Sequence, residues 1–351
     1  MVRRVLRLCV LLALACFAGP FAALYAQAGP PQSVLLWPNG APGALGNTET
    51  DKPRLYLFLP KRRSTSAAIL VIPGGGYQHV AIGHEGFQIA NWLNEQGMAA
   101  FVLDYRVKPY RYPVEIDDGR RAMRLIRAHA AEYGVDPKRL GVWGSSAGGH
   151  LATSLGTHCE NVTAKVTNTA LDVTPDLTQN VPAADPAAQD SAGTGDPINR
   201  LSCKPSFMVL AYPVIAMEKP VTHGGSRKNL FGPNPDPAIL RQYSNQYAVT
   251  PSTPPTFIFA TTYDPVVPIE NSLDFYRALL HAHVPVEMHL FDYASHGCGL
   301  CGSIIPLRVW PALLRTWLID KSLLPSNAPP LPSPTANWPV WPKTYRGPGH
   351  F

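Results

Sequence analysis

One short motif in the chain places a serine between two glycines, in the run Leu140-Gly-Val-Trp-Gly-Ser-Ser-Ala-Gly-Gly-His150. Apolar residues precede the serine and predict a buried strand over residues 140–143, and an alanine-rich segment with helical character follows. Gly144, Ser146 and Gly148 thus form a Gly-x-Ser-x-Gly pattern between a strand and a helix, the context in which this pattern marks a nucleophile. A tight turn there would project the Ser146 hydroxyl at the positive end of the helix. Ser146 is the candidate nucleophile, and a plain glycine-rich turn is the alternative.

A nucleophilic serine requires a base that accepts its proton and a carboxylate that holds the base in the right tautomer. On a parallel sheet of this kind the chain order is serine, acid, histidine. Asp264 is the only carboxylate in the loop 261–268 after a predicted strand, and His296 follows the last predicted strand between small residues. Taken singly, Asp264 suits a turn or helix N-cap, His296 suits a surface loop, and Asp292 is a rival acid. Their joint order favours a triad of Ser146, Asp264 and His296.

Hydrolysis through a serine also requires backbone N–H groups aimed at the developing oxyanion. The N–H of Ala147, directly after the serine, is one expected donor. The loop after the predicted strand 67–72 contains three consecutive glycines, which let the backbone approach a substrate carbonyl closely. Gly75 and Gly76 are the expected donors from this loop, and a merely flexible loop is the alternative.

Four further residues near these segments are candidates for the substrate rim: Tyr77, His84, Glu85 and Cys298. The start of a helix is the alternative role for His84 and Glu85. His150, one turn into the helix after Ser146, is expected to be a packed helix residue and not a second base.

Apolar periodicity predicts strands that alternate with helices along most of the chain. This order indicates an α/β fold with a mostly parallel central sheet and helices on both faces. The predicted strands are 34–37, 54–59, 67–72, 99–103, 140–143, 206–212, 256–260 and 286–291, and the main predicted helices are 87–97, 118–133, 238–243, 269–281 and 304–323.

The chain has 351 residues and opens with basic, apolar and small-residue segments in the order of a secretory signal. We predict a signal peptide over residues 1–28 and a catalytic domain over 29–323, and hence a protein exported to the periplasm or the medium. An uncleaved anchor is the alternative, but the apolar core is short for a membrane span, so no stable membrane insertion is expected after cleavage. Within the domain, residues 158–203 read as an irregular insertion and 214–255 as a cap or rim. Residues 324–351 form a Pro/Trp-rich C-terminal arm.

Four cysteines remain after the predicted signal, which suggests two disulfides in an exported protein. Of the three possible pairings we favour Cys159 with Cys203 and Cys298 with Cys301, because the first bond would join the two ends of the insertion. A redox or metal role for the Cys-Gly-Leu-Cys spacing is the alternative.

The formal net charge of +6 includes three arginines of the predicted signal, so the rest of the chain gives no sign of nucleic-acid binding. No cofactor or metal is expected.

With these residues located, the chain resembles exported α/β-hydrolase esterases of the acetylxylan and feruloyl esterase group. The resembling stretches are Leu36-Trp-Pro-x-Gly-Ala-Pro-Gly43, Val71-Ile-Pro-Gly-Gly-Gly-Tyr77, Leu103-Asp-Tyr-Arg106, Gly144-x-Ser-x-Gly-Gly149, Asp264-Pro-Val-Val-Pro268 and Ser295-His-Gly297. The resemblance implies an acyl-enzyme mechanism at Ser146 and an acylated carbohydrate or small ester as substrate, with an acetyl ester as the expected acyl group. A feruloyl or general small-acyl esterase is the alternative, ahead of a peptidase or a non-catalytic carbohydrate-binding module. The long insertion and Cys298, in place of an expected aromatic residue, depart from the family pattern.

Overall fold

A computed structural model describes residues 31–159 and 196–329. The predicted signal, most of the insertion and nearly all of the C-terminal arm lie outside these residues. In the described ranges, the strands are β1 Ser33–Leu35, β2 Arg54–Phe58, β3 Ala68–Ile72, β4 Ala99–Asp104, β5 Leu140–Ser145, β6 Met208–Ala211, β7 Thr256–Thr261 and β8 Val286–Phe291. The α-helices are α1 Gln88–Glu95, α2 Val114–Ala128, α3 Ala147–His158, α4 Gly224–Phe231, α5 Pro237–Gln242, α6 Glu270–His281 and α7 Trp310–Asp320.

The eight strands form one sheet in the order β1-β2-β4-β3-β5-β6-β7-β8. Strand β2 runs antiparallel to both of its neighbours, whereas every pairing from β4 through β3 to β8 is parallel. Strands β3 and β6 are continuously apolar and buried because helices cover both faces of the sheet. Strand β8, at the edge of the sheet, contains Glu287 and His289 and is only partly buried. This topology confirms the predicted α/β fold.

Two apolar cores lie on opposite faces of the sheet. Along β3, Leu70 and Ile72 face the core that contains α2, α3 and α6. Ile69 and Val71 face the other core, into which α1 and α7 pack. Successive side chains of a strand point to opposite faces, so one apolar run supplies both cores.

Two helices differ clearly from the sequence-based prediction at their starts, and both also end earlier: α2 at Ala128 instead of residue 133, and α7 at Asp320 instead of residue 323. Helix α2 begins at Val114 instead of residue 118, and its first turn contains the buried acidic residues Glu115 and Asp117. Periodicity of apolar residues does not detect a buried turn that is acidic. The closing helix begins at Trp310 instead of residue 304, since Pro311 stands in its first turn and Ile305–Leu307 forms a separate short turn.

The region 214–255, predicted to be a cap or rim, contains the short helices α4 and α5. Asp236 caps α5 by accepting a hydrogen bond from the Ala238 N–H, and Pro237 follows at the first helical position. None of the helices in residues 31–159 and 196–329 has the length and apolar character needed to span a lipid bilayer.

The register of the parallel strands determines which loops meet. Ile72 pairs with Gly144, and Ser145 pairs with Ala211. Thr261 pairs with Phe291 at the last strand pair. The segments after β3, β5, β6, β7 and β8 therefore emerge together at the carboxyl edge of the sheet, where ligands bind in folds of this class.

Candidate active site

Ser146 occupies the tight turn between β5 and α3. Its backbone angles are φ 52° and ψ −121°, a conformation that L-residues adopt rarely. A Cβ atom at Gly144 would lie 2.4 Å from the Gly148 carbonyl oxygen, and one at Gly148 would lie 2.1 Å from the Ile72 carbonyl oxygen. Both neighbours are backbone atoms, so neither position accommodates a side chain. The two glycines let the turn pack closely against β3.

The structure brings Ser146, His296 and Asp264 into one hydrogen-bonded chain. Ser146 Oγ lies 2.7 Å from His296 Nε2. His296 Nδ1 lies 2.7 Å from Asp264 Oδ2. The carboxylate can accept only from a protonated Nδ1, which leaves Nε2 as the acceptor for the serine proton. This is the geometry of a nucleophile, a base and a carboxylate that orients the base.

Asp264 is held as a carboxylate. Its Oδ1 accepts hydrogen bonds from the N–H groups of Val266, at 2.8 Å, and Val267, at 3.0 Å. Burial alone would raise the pKa of Asp264, but the hydrogen bond and charge of His296, with the two N–H groups, lower it below its ordinary value. Asp292, the rival acid, is exposed, and the Nδ1 of His296 is bonded to Asp264 instead.

Three backbone N–H groups near the serine turn and in the glycine loop are candidates for the oxyanion site; the loop reaches the serine at Gly74, where a Cβ would lie 2.8 Å from Ser146 Cβ. Ala147 is the first residue of α3, where N–H groups lack intrahelical acceptors. Among the described residues, the N–H groups of Gly75 and Gly76 have no acceptor either. Gly74 differs, because its N–H donates to Glu85 Oε2 at 2.8 Å. Gly75 has φ +122°, and a Cβ there would meet the His79 carbonyl oxygen at 2.1 Å, so this conformation requires glycine.

A buried hydrogen-bond network, which we call the Glu85 strut, connects three loops of the site. Besides the bond from Gly74, Glu85 accepts a hydrogen bond from the Tyr212 hydroxyl at 2.8 Å. The same hydroxyl accepts from the Gly299 N–H at 2.8 Å, and the Tyr212 ring lies 5.1 Å from the His296 ring. Burial and Glu85 raise the pKa of Tyr212 well above its ordinary value, so the hydroxyl remains a donor. The strut links the glycine loop, the end of β6 and the histidine loop.

The structure corrects part of the predicted substrate rim. Tyr77 is fully buried, and its hydroxyl lies 2.8 Å from His150 Nδ1. Glu85 is 2% exposed and belongs to the strut. Neither side chain lines a rim, because both are needed to satisfy buried polar groups. His84 is half-buried, and its carbonyl oxygen would lie 2.6 Å from a Cβ at Gly299, so it contacts the histidine loop through its main chain.

The cysteines are paired as favoured from the sequence. Cys159 is bonded to Cys203, and Cys298 is bonded to Cys301. Cys298, also proposed for the rim, packs against the core that contains α7. Its bond closes a short loop two residues after His296. In the described part of the chain, no group of three or more His, Cys, Asp or Glu side chains is arranged to hold a metal ion.

His150 is fully buried and does not bond to Ser146. Its Nε2 lies 2.8 Å from the Tyr243 carbonyl oxygen and must therefore carry the proton. Burial lowers the pKa of His150 to about 3. His150 is therefore a neutral imidazole with a hydrogen bond at each ring nitrogen, and its role in the helix after the serine is structural.

Two residues near the site have no signal in the sequence. Tyr212 reads only as the last residue of a predicted strand. His223 lies in the Pro- and Gly-rich region 214–255, and its Cε1 would be 3.7 Å from a Cβ at Gly76. The nearness of either residue to the site depends on the sheet register and on the path of the cap, which local patterns do not define.

The parallel sheet, the strained serine turn and the Ser-Asp-His order define the chain as an α/β-hydrolase. The family model described as BD-FAE matches residues 55–279, well over half of the chain. The chain belongs to this family, which confirms the resemblance to esterases of the acetylxylan esterase type.

Comparisons with known proteins point in the same direction. The crystal structure of an acetyl ester-xyloside bifunctional hydrolase from Caldicellulosiruptor lactoaceticus is 35% identical, with a TM-score of 0.70 over 85% of this chain and 99% of that one. An acetylxylan esterase of Xylanibacter ruminicola is 29% identical over 259 residues, which are 73% of this chain and 45% of that protein. Endo-1,4-beta-xylanase B of Butyrivibrio fibrisolvens is 34% identical over 70% of this chain and 34% of its own length. The chain thus spans less than half the length of these two curated relatives.

Proposed function

We propose that this protein is a serine-dependent carboxylic ester hydrolase that removes acetyl groups from acylated carbohydrate. The observation that carries the proposal is the hydrogen-bonded chain from Ser146 through His296 to Asp264, with distances of 2.7 Å at both steps. The glycine loop lies against the serine, since a Cβ at Gly74 would be 2.8 Å from Ser146 Cβ. We assign the N–H groups of Gly75, Gly76 and Ala147 to the oxyanion.

The geometry suits catalysis in two steps. Ser146 Oγ attacks the ester carbonyl carbon while His296 Nε2 accepts the serine proton, and Asp264 stabilises the imidazolium. The N–H groups of Gly75, Gly76 and Ala147 stabilise the oxyanion; loss of one such donor costs about 10²- to 10³-fold in kcat in a well-studied hydrolase. The imidazolium then protonates the leaving alcohol. A water molecule, deprotonated by His296, releases the acid from the acyl-enzyme by the reverse sequence.

The substrate class is supported by the relatives. The first curated relative is named an acetylxylan esterase, and the similar solved structure is that of an acetyl ester-xyloside bifunctional hydrolase. Both descriptions combine an acetyl ester with a xylose-based carbohydrate. We extend that chemistry to this chain as a proposal, with acetylated xylan or xylo-oligosaccharide as the substrate.

We also propose that the protein is exported to the periplasm or the medium. The two disulfides support this, since disulfides persist in oxidising compartments. The sequence pattern of residues 1–28 supports it independently.

Product analysis tests the proposed function. Acetate and ferulate release would be measured in parallel from acetylated xylan and feruloylated arabinoxylan, with a small synthetic acetate ester as reference. The variants are Ser146→Ala and, as a matched control, Ser252→Ala at an exposed serine. We expect acetate release that Ser146→Ala abolishes and Ser252→Ala preserves. Ferulate release alone would move the acyl specificity to the larger group. Cleavage of the synthetic ester alone would contradict the carbohydrate substrate.

A further inference from the structure

The imidazole of His223 lies beside the glycine loop of the site. His223 precedes α4, and its Cε1 would be 3.7 Å from a Cβ at Gly76. Further along the same helix, Asn229 Nδ2 donates to the Gly76 carbonyl oxygen at 2.8 Å. Helix α4 is therefore attached to the backbone that supplies the oxyanion donors, with His223 at the end where the helix begins.

The hydrogen bonds of His223 determine its tautomer. Its Nδ1 accepts from the Ser226 N–H at 3.3 Å and lies 2.8 Å from the Ser226 hydroxyl oxygen. A nitrogen that accepts an N–H carries no proton in the neutral ring, so Nε2 carries it. Within residues 31–159 and 196–329, no group accepts a hydrogen bond from this Nε2.

His223 is a neutral donor. Burial and then the positive charge of His296 lower its pKa, against the opposing charge of Asp264. These charges show that His223 lies within electrostatic range of the triad. A neutral ring adds no cation beside His296, so it does not oppose the imidazolium that forms during catalysis.

The chemistry of an acetyl ester limits what an additional N–H can bind. The acetyl group has one good hydrogen-bond acceptor, its carbonyl oxygen. In the proposed mechanism that oxygen accepts from the N–H groups of Gly75, Gly76 and Ala147. Every other good acceptor of an acetylated sugar is on the alcohol half, as a free hydroxyl or ring oxygen. A neutral imidazole N–H suits such an uncharged oxygen.

We propose that His223, through Nε2–H, binds a hydroxyl oxygen of the sugar next to the acetyl ester. This inference rests on the proposed function and identifies a binding residue for the alcohol half of the substrate. A site that donates to a substrate hydroxyl discriminates against an alcohol that lacks it, because the bound alcohol then covers the donor and leaves it unpaired.

The test compares two esters in the full-length protein. One is an acetylated methyl xyloside with a free neighbouring hydroxyl, and the other is ethyl acetate, which has none. The variant is His223→Asn, because asparagine can still cap α4 but is too short to present a donor where Nε2 stands. His129→Asn, at a half-exposed histidine after α2, is the matched control.

The measured quantity is the ratio of kcat/KM for the xyloside to kcat/KM for ethyl acetate. We expect His223→Asn to lower this ratio by about 2- to 13-fold, the effect of one neutral hydrogen bond. The ratio for His129→Asn should equal that of the wild type. An unchanged ratio in His223→Asn overturns the inference. If both kcat/KM values fall equally, the result indicates that the His223 Nε2–H binds the oxyanion instead. A wild-type enzyme that cleaves ethyl acetate but leaves the xyloside intact instead overturns the proposed substrate class, and the hydroxyl ligand with it.

Discussion

Removal of a single oxygen atom tests the Glu85 strut. Tyr212→Phe keeps the ring that packs against His296 but deletes the hydroxyl. That hydroxyl donates to Glu85 and accepts from the Gly299 N–H, both at 2.8 Å. Gly299 lies three residues after His296, so the variant releases the histidine loop from the glycine loop without touching the triad.

The expected magnitude follows from the two bonds. A hydrogen bond to a charged group contributes about 1.5–3 kcal/mol, and a buried N–H left without an acceptor costs about 1–3 kcal/mol. Partial relaxation of the histidine loop reduces the sum, and we expect a loss of about 2–4 kcal/mol in the free energy of unfolding. Because His296 loses its fixed position, kcat should fall about 10- to 100-fold, the range expected for a displacement of about 1 Å.

The assay is steady-state hydrolysis of a small acetate ester together with urea unfolding. Tyr133→Phe is the matched control, since this buried tyrosine lies before β5, at the opposite edge of the sheet, and packs on Phe101. Glu85→Gln should reduce kcat similarly, because one amide oxygen cannot replace two carboxylate oxygens. The double variant should then lose less than the sum of the two single losses. A kcat for Tyr212→Phe equal to that of the wild type would refute the reasoning, even if stability falls.

Three further predictions concern the triad, the serine turn and the buried histidine. Asp264→Asn should lower kcat by about 10³- to 10⁴-fold in a folded protein, since the amide no longer stabilises the imidazolium; unchanged ester hydrolysis would contradict this role. Gly148→Ala should destabilise the protein by at least about 3 kcal/mol in thermal unfolding, because its Cβ would lie 2.1 Å from a backbone oxygen. Gly224→Ala should leave the thermal stability unchanged, because no atom lies within 4 Å of a Cβ built at that position. Burial lowers the pKa of His150 from 6.5 to about 3. The unfolded chain therefore binds a proton below about pH 6.5 that the folded chain does not, and stability should decrease by about 2 kcal/mol between pH 7 and pH 5. His150→Gln, compared in urea unfolding at both values, should remove that part of the decrease; an identical decrease would contradict the assignment.

The parallel sheet explains why much of the fold and site follows from sequence. Apolar runs identify the strands, and the carboxyl ends of parallel strands share one edge. Ser146, Asp264 and His296 each follow a predicted strand. Their convergence is therefore a consequence of the topology and needs no knowledge of side-chain packing.

The remaining features depend on contacts between distant segments. Glu85 and Tyr212 are 127 residues apart in the chain, and no local pattern predicts that they meet. Tyr77 and Glu85 stand beside the glycine loop in sequence and so suggested a rim, but buried polar partners turn both inward. The contact of His223 with Gly76 depends on the path of the cap, which is rich in proline and glycine and has weak periodicity.

The central claim, that Ser146 is the nucleophile, is tested most directly by covalent labelling. The protein would be treated with a fluorophosphonate, digested and mapped by mass spectrometry, while residual ester hydrolysis is followed. We predict one modified residue, Ser146, with activity lost in proportion to labelling, and no labelling of Ser146→Ala. A fluorophosphonate adduct on another residue, or ester hydrolysis that survives in Ser146→Ala, would contradict the account.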